Sequence, residues 1–571
     1  MRLRYMAHFA TLFAVASSIC WSQASFDGGR IITPTAFPHP PMGWSSWNSF
    51  SNTVDEALIV RQTDALLATG LAKHGYEYIN IDEGWWLGKR DSNGDFIVDP
   101  QKWPALSPGE KGGDMSNIVR YIHARGLKAG IYTDAGVDGC NMFPDIGPKV
   151  FGTGSDGHYD HDFLQFAKWG FDYVKVDWCG GDKANLDPAM KYAEVARAIQ
   201  RAQRITGHRL YLSICNWGRQ SPWSWAPGIG GEQSTVWRTT GDIVAPIVAA
   251  GPNANRRAKL DEVFRNFDGD FHPEAQHTGY FNDADMMVIG MPGLNERENR
   301  VHFVLWSIAA SPLILGADLT TLTPEIVATL TNDEILAVDR DPLGLQAIRI
   351  SSDEQEQQIW VKLLAPTADG SERIAVALLN RSEAPASIKL PWSDLGLTTV
   401  SSIRDLWNHN TLGTVGTSLD AEVPGNDVAI FLLTAKTSHP TIEYLPAKVP
   451  DPENDPGPQI SYEKEWVFDG VKSLKDLVPI RIDYVNKSAS SELGEIRVND
   501  ERRSIAAFPP TVKTGSGSIT IQLILEGGQS PNRVEVVFPA NSAPEIRDMR
   551  VFPVGQRVDD AERHKMSTLA H

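Results

Sequence analysis

"GFDYVKVDWCGG", residues 170–181, is the stretch on which the fold turns. Phe171, Tyr173, Val174 and Val176 have the aromatic and β-branched character of a buried strand, yet Lys175 and Asp177 interrupt it. Side chains alternate along a strand, so Val174 and Val176 share one face while Tyr173, Lys175 and Asp177 share the other. A (β/α)8 barrel accommodates both faces: the valines pack beneath the outer helices, and the Lys175–Asp177 face opens into the central bowl. An unpaired charge there is costly, so the two are expected to support one another across a polar site.

Outward from this strand the same alternation of short apolar runs and helical patterns extends over residues 38–335. The other expected strands are "MGWSSWN" (42–48), "YEYINID" (76–82), "LKAGIYT" (127–133), "LYLSIC" (210–215), "TVWRTT" (235–240), "ADMMVIG" (284–290) and "PLILGAD" (312–318). "TVDEALIVRQTDALLATG" reads as a helix opening at Thr53 and stopping at Gly70, and "NRVHFVLWSIAAS" as another. This succession predicts an α/β fold, a (β/α)8 barrel; an open doubly wound sheet lacks the glycine-rich phosphate loop it would need after the first strand. Trp47, Asp82, Tyr132, Asp177, Asn216, Asp242 and Asp283 fall at carboxyl ends of strands or just beyond, which a barrel gathers into one bowl.

From about 340 only strand patterns remain. They predict an antiparallel β-sandwich over 340–436, a proline-rich linker over 437–458 and a second all-β module over 459–556, and this last module resembles non-catalytic carbohydrate-binding β-sandwiches. In that last module Tyr484, Phe508, Phe538 and Phe552 are equally suited to core packing. At the other end, Arg2 and Arg4 precede an apolar run from Phe9 to about Trp21 and then Ser22-Gln23-Ala24. This is the layout of a signal peptide over 1–24, predicting a secreted or periplasmic protein. The run is shorter than the roughly 20 residues that span a bilayer.

The chain has 571 residues, 42% hydrophobic and 22% charged, with a net charge of −18 spread along it. Length implies several domains, and the missing basic face excludes nucleic acid as a partner. Of four cysteines, Cys20 leaves with the signal, so Cys140, Cys179 and Cys215 imply one disulfide and one free thiol.

A second carboxylate gives the site its chemistry. "VWRTTGDI" (236–243) places Arg238 and Asp242 at the end of the sixth strand. Two carboxylates on separate strands, among aromatics and without metal-ligand spacing, suit glycosidic hydrolysis; a separation of roughly 5–5.5 Å predicts retention through a covalent intermediate. Ionised Asp177 is expected to hold Asp242 protonated as general acid, and its esterification to release Asp242 as base toward water. Lys175 is expected to keep Asp177 ionised at rest.

"PMGWSSWNSF", "YINIDEGWW", "GLKAGIYTDAG", "DYVKVDWC", "SICNWG", "WRTTGDI" and "NDADMMVIG" together resemble the ordered motifs of glycoside hydrolase family twenty-seven, the melibiase or α-galactosidase family. The resemblance implies Asp177 as nucleophile and Asp242 as acid/base, with no cofactor and no metal. It implies that Trp47 walls the sugar pocket and that Asp82 and Lys175 bind hydroxyls far from the anomeric carbon. Arg238 would meet the 2-hydroxyl, Tyr132 would sit beside the nucleophile, and Met286 would line the apolar side. Cys140 and Cys179 fall where the family places a disulfide, leaving Cys215 as a core thiol; Asp283 and Asp285 are expected to orient Arg238 or the backbone.

Two positions depart from the family's pattern: Glu83 replaces the second of paired aspartates, and Asn216 replaces a glutamate. Glu83 is expected to reach toward the space for the sugar's hydroxymethyl group, as in relatives resembling β-L-arabinopyranosidases. The predicted partner is thus a carbohydrate with a terminal α-D-galactosyl residue, and L-arabinopyranose is the alternative. A catalytically silent sugar-binding protein, or a transglycosylase, shares the same residues.

Overall fold

Eight short strands buried along most of their length need cover on both sides. In the computed structural model they are β1 (Met42–Ser45), β2 (Tyr78–Asn80), β3 (Lys128–Asp134), β4 (Tyr173–Asp177), β5 (Tyr211–Cys215), β6 (Thr235–Arg238), β7 (Tyr280–Asp283) and β8 (Leu313–Leu315). The structure describes residues 37–556 except 141–152, 230–234, 244–256, 352–355, 414–415, 438–440, 448–462, 528–529, 540–541 and 543, together with the backbone of 26–27 and 30–31. The expected signal peptide, 1–24, lies outside the described residues.

The strands run β7-β6-β5-β4-β3-β2-β1-β8 in one parallel sheet. The ring closes at Met287, just past β7. Its N–H donates to the Ile314 carbonyl (2.7 Å), and its own carbonyl accepts from Gly316 N–H (3.0 Å). Tyr173 points inward as the alternation requires. With Phe37, Tyr78, Val236 and Phe281 it plugs the barrel floor, its ring 5.5 Å from Tyr78 and 6.3 Å from Phe37. Val174 and Val176 point outward into the main core, which includes Phe163 and Phe166 of the helix Tyr159–Trp169 and Val195 and Ile199 of the helix Pro188–Thr206.

Three local expectations are corrected. The first long helix is Glu56–Ala68, capped by Asp55 accepting from Leu58 N–H at 2.7 Å, because Thr53 is taken up by a preceding tight turn; Gly70, at φ 86°, is indeed the stop. The seventh strand is Tyr280–Asp283 rather than 284–290. Asp285 has φ 104°, outside any strand, and its carbonyl accepts from Trp306 Nε1 at 2.8 Å, so the apolar run 284–290 crosses the barrel rim. Periodicity alone does not separate such a buried crossing from a strand. Within the stretch expected as linker, Ile442–Tyr444 forms a strand paired with Glu545–Val551, so the second sandwich begins earlier than residue 459.

Behind the barrel a six-stranded antiparallel sheet and a two-stranded one enclose Leu363, Val376, Ile388, Leu390 and Leu433. The last module is two four-stranded sheets. Tyr484, Phe508 and Phe538 are core there, and half-buried Phe552 packs against the first sandwich, so none of the four forms an exposed sugar platform. The module is tied back to the barrel side by Gln522 Nε2 donating to the Gln346 carbonyl (2.8 Å) and Ala507 N–H donating to His277 Nε2 (3.3 Å). Removing the floor plug by Tyr173→Ala should destabilise the barrel by about 3–5 kcal/mol in denaturant titration. A loss under about 1 kcal/mol would show that the floor contributes little.

Candidate active site

Parallel register determines which side chains meet above the floor. It sets Tyr132 beside Lys175 and Asp134 beside Asp177 between β3 and β4, Lys175 beside Ser213 and Asp177 beside Cys215 between β4 and β5, and Arg238 beside Asp283 between β6 and β7. Alternate residues face inward, so the layer over the aromatic plug is polar. It encloses a cavity lined by Asp82, Tyr132, Lys175, Cys215, Arg238 and Met286 among others.

Lys175 answers the question its strand poses. Its Nζ lies 3.0 Å from Asp82 Oδ2 and 3.6 Å from Asp177 Oδ1, and 5.2 Å from the centre of the Tyr132 ring. Burial works against the ammonium, yet Asp177 and Asp82 hold its pKa well above the usual lysine range. Asp177 is 5% exposed. Burial pushes its pKa up to about 6; Lys175 pulls the other way, while Asp82 and Asp242 add to the rise. The two oxygens of Asp177 are not equivalent. Tyr132 Oη lies 3.1 Å from Oδ2, whereas Oδ1 accepts no hydrogen bond among the described residues.

The second carboxylate is built differently. Arg238 is buried, with Nη1 2.8 Å from Asp285 Oδ1 and Nη2 3.0 Å from Asp242 Oδ1. Asp285 is fixed by N–H donation from Ile243 (2.6 Å) and Met286 (2.7 Å), and its own N–H donates to Asp283 Oδ1 (2.9 Å). Asp285 thus orients Arg238, and Asp283 holds the backbone of Asp285. Burial pushes the Asp285 pKa up to about 7, opposed by Arg238. The Asp242 side chain is 61% exposed and faces solvent and Arg238.

The other expected residues divide. Trp47 opens a short helix after β1, Trp47–Phe50, and is half-buried; Met286 is half-buried on the cavity wall. Asn216 is fully buried; one N–H of its Nδ2 donates to the Arg219 carbonyl in its own turn (2.5 Å), which leaves the other N–H and Oδ1 for a ligand. Glu83 is buried. Its Oε1 lies against Gly139, where a Cβ would stand 3.1 Å away, so the missing side chain there makes room for the added methylene.

Cys140 and Cys179 form a disulfide with Cα atoms 5.1 Å apart, bracing the loop after Asp177. Asp134 lies within ligand distance of both sulfurs, but these are bonded to each other, so this cluster is not a metal set. Cys215 is a free, fully buried thiol, as expected, on the cavity wall and 3.6 Å from Arg238 Nη1. Asp134 itself was missed; its signal was an acid at the end of "GIYTD", two residues past Tyr132. Asp285→Ala would leave Arg238 buried with only an exposed partner, and should lower stability by about 3–5 kcal/mol in denaturant titration. Wild-type stability in that variant would show that the pair is dispensable.

Comparison with known proteins places this geometry in context. Residues 39–341 match the family model described as alpha galactosidase A, and residues 354–433 match the alpha galactosidase C-terminal beta sandwich domain. An α-galactosidase of Oryza sativa is 34% identical over 398 residues, 69% of this chain and 84% of that protein. α-Galactosidase A of Cellvibrio japonicus is 36% identical over 420 residues, 70% of this chain and 92% of that protein. The crystal structure of α-galactosidase I from Mortierella vinacea superposes with a TM-score of 0.60 at 29% identity, covering 71% of this chain and 99% of that one. With its barrel and first sandwich both matched in order, the chain belongs to the α-galactosidase family, glycoside hydrolase family twenty-seven.

Proposed function

We propose that the chain is a retaining exo-glycosidase that hydrolyses terminal α-D-galactosyl residues, with Asp177 as nucleophile and Asp242 as acid/base. The observation that carries this is the division of labour at Asp177: Oδ2 lies within hydrogen-bond reach of Tyr132, while Oδ1 keeps a free lone pair. Oδ1 attacks the anomeric carbon as Asp242 gives its proton to the departing oxygen. The ester that forms at Asp177 carries no charge. Asp242 then takes a proton from water, the water attacks the same carbon, and galactose leaves with its configuration retained. The bound sugar covers the mouth and removes water from around Asp242, which strengthens every charge interaction there. Lys175 and Asp82 hold hydroxyls on the far side of the ring, and Arg238 holds the hydroxyl nearest Asp242.

The relatives' names as α-galactosidases support galactose as the substrate. Glu83 is the one observation that favours L-arabinopyranose, a pentose lacking the hydroxymethyl group; its packing against Gly139 supports galactose instead. Export is our reading of the N-terminal pattern. A disulfide suits an oxidising compartment, and no helix among the described residues is long and apolar enough to cross a membrane.

Asp177→Asn should lower turnover of an aryl α-D-galactoside by about a thousandfold or more while leaving the fold intact by circular dichroism; activity near that of the parent would end the mechanism. Since Asp177 must be ionised to attack and its pKa is raised to about 6, kcat/KM should fall as pH drops below 6. Lys175→Met removes the group that lowers that pKa and should move the acid limb upward. A limb that stays put in Lys175→Met would contradict this electrostatic account. Aryl α-D-galactoside should outpace aryl β-L-arabinopyranoside in the parent; if the pentose is faster and Glu83→Asp reverses the order, galactose is the wrong substrate.

A further inference from the structure

Asp134 is a buried acid of the site to which the mechanism gives no task. It ends β3 directly beside Asp177 in the parallel register and is fully buried. Its Oδ1 lies 3.1 Å from Tyr132 Oη and accepts from Cys179 N–H at 3.4 Å; its Oδ2 has no hydrogen-bond partner among the described residues. Tyr132 therefore stands between two carboxyl groups, 3.1 Å from each, with one proton to give. If both neighbours were anions, that proton would be divided between them and Asp177 would lose part of its anchor.

We propose that Asp134 is a positioning residue: as a neutral acid it donates from Oδ1 to the Tyr132 oxygen, and so commits the Tyr132 hydroxyl to Asp177 Oδ2. The surroundings support a neutral Asp134. Burial pushes its pKa well above the usual range, and the nearby Glu83 and Asp177 push it further; donation from Tyr132 and Cys179 N–H opposes this. Tyr192, packed behind the strand, brings no positive charge, and Lys175 is bound to Asp82 and Asp177. The chain Asp134–Tyr132–Asp177 holds Oδ2 still, so that Oδ1 is the oxygen presented to the sugar. Hydrogen bonding to the charged form also lowers the basicity of Asp177, which opposes the effect of its burial.

This inference rests on Asp177 being the nucleophile, so the control is Asp177→Asn. Activity in that variant would undo the mechanism itself, whatever Asp134 does. The test is the pH dependence of kcat/KM for an aryl α-D-galactoside in Asp134→Asn, Asp134→Ala, Tyr132→Phe and the Asp134→Ala/Tyr132→Phe pair, with folding followed by circular dichroism. The Asn amide can still donate to Tyr132, so Asp134→Asn should keep activity within a few-fold of the parent and leave the acid limb in place. Asp134→Ala and Tyr132→Phe should each lose about tenfold or more, and should move the limb upward because a donor to the Asp177 anion is weakened or lost. The double variant should be no worse than the poorer single variant.

An ionised Asp134 gives the opposite sign. Removing a neighbouring anion would let Asp177 ionise more easily, so both Asp134→Asn and Asp134→Ala would move the limb downward. That result, or additive losses in the double variant, would overturn the proposal. If Asp134→Ala fails to fold, Asp134→Asn and Tyr132→Phe still decide it through the direction of the limb.

Discussion

The ion cluster of Lys175 with Asp82 and Asp177 is the constraint on which the rest of the barrel depends. Three charged groups on the inner wall are tolerable only because they neutralise one another at close range, with Nζ 3.0 Å from one carboxylate and 3.6 Å from the other. The aromatic floor of Phe37, Tyr78, Tyr173 and Phe281 closes the barrel beneath them. The valines of the same strand then hold its other face to the helices. A polar pocket with a sealed bottom and rigid walls is the consequence.

The two carboxylates of the proposed reaction owe their different settings to the elements that carry them. Asp177 is inside a strand and sheltered, whereas Asp242 is four residues beyond a strand end and open to solvent. What holds Asp242 near the pocket is Arg238, and what holds Arg238 is Asp285, at a backbone angle that costs energy for a residue other than glycine. That strain sits where the chain leaves the seventh strand and places a carboxylate against the guanidinium. The disulfide between Cys140 and Cys179 performs a similar service on the other side, tying the loop after β4 to the loop after β3.

The barrel was legible in the sequence because each strand carries its own signature. In "DYVKVD" the alternation of valine with charge already separates the outer face from the inner one. What failed did so for physical reasons. The run 284–290 is as apolar as a strand, but the turn at Asp285 depends on Trp306 and Arg238, which lie far away in the chain. For Glu83 the sequence shows only the added methylene; that its Oε1 lies against Gly139 is visible only in the folded structure. Asp134 escaped notice because an acid at a strand end is an ordinary turn former, and its importance arises only from the register that sets it against Asp177. In the last module the four aromatics were ambiguous from sequence, since core and platform use the same residue types.

The central claim is that one oxygen of Asp177 bonds the sugar. It is tested most directly by trapping the intermediate with a 2-deoxy-2-fluoro galactosyl substrate bearing a good leaving group, digesting the protein and locating the added mass. The account predicts a single sugar ester on the peptide containing Asp177. A sugar found on Asp242, or a first-formed product of inverted configuration with no adduct at all, would contradict it.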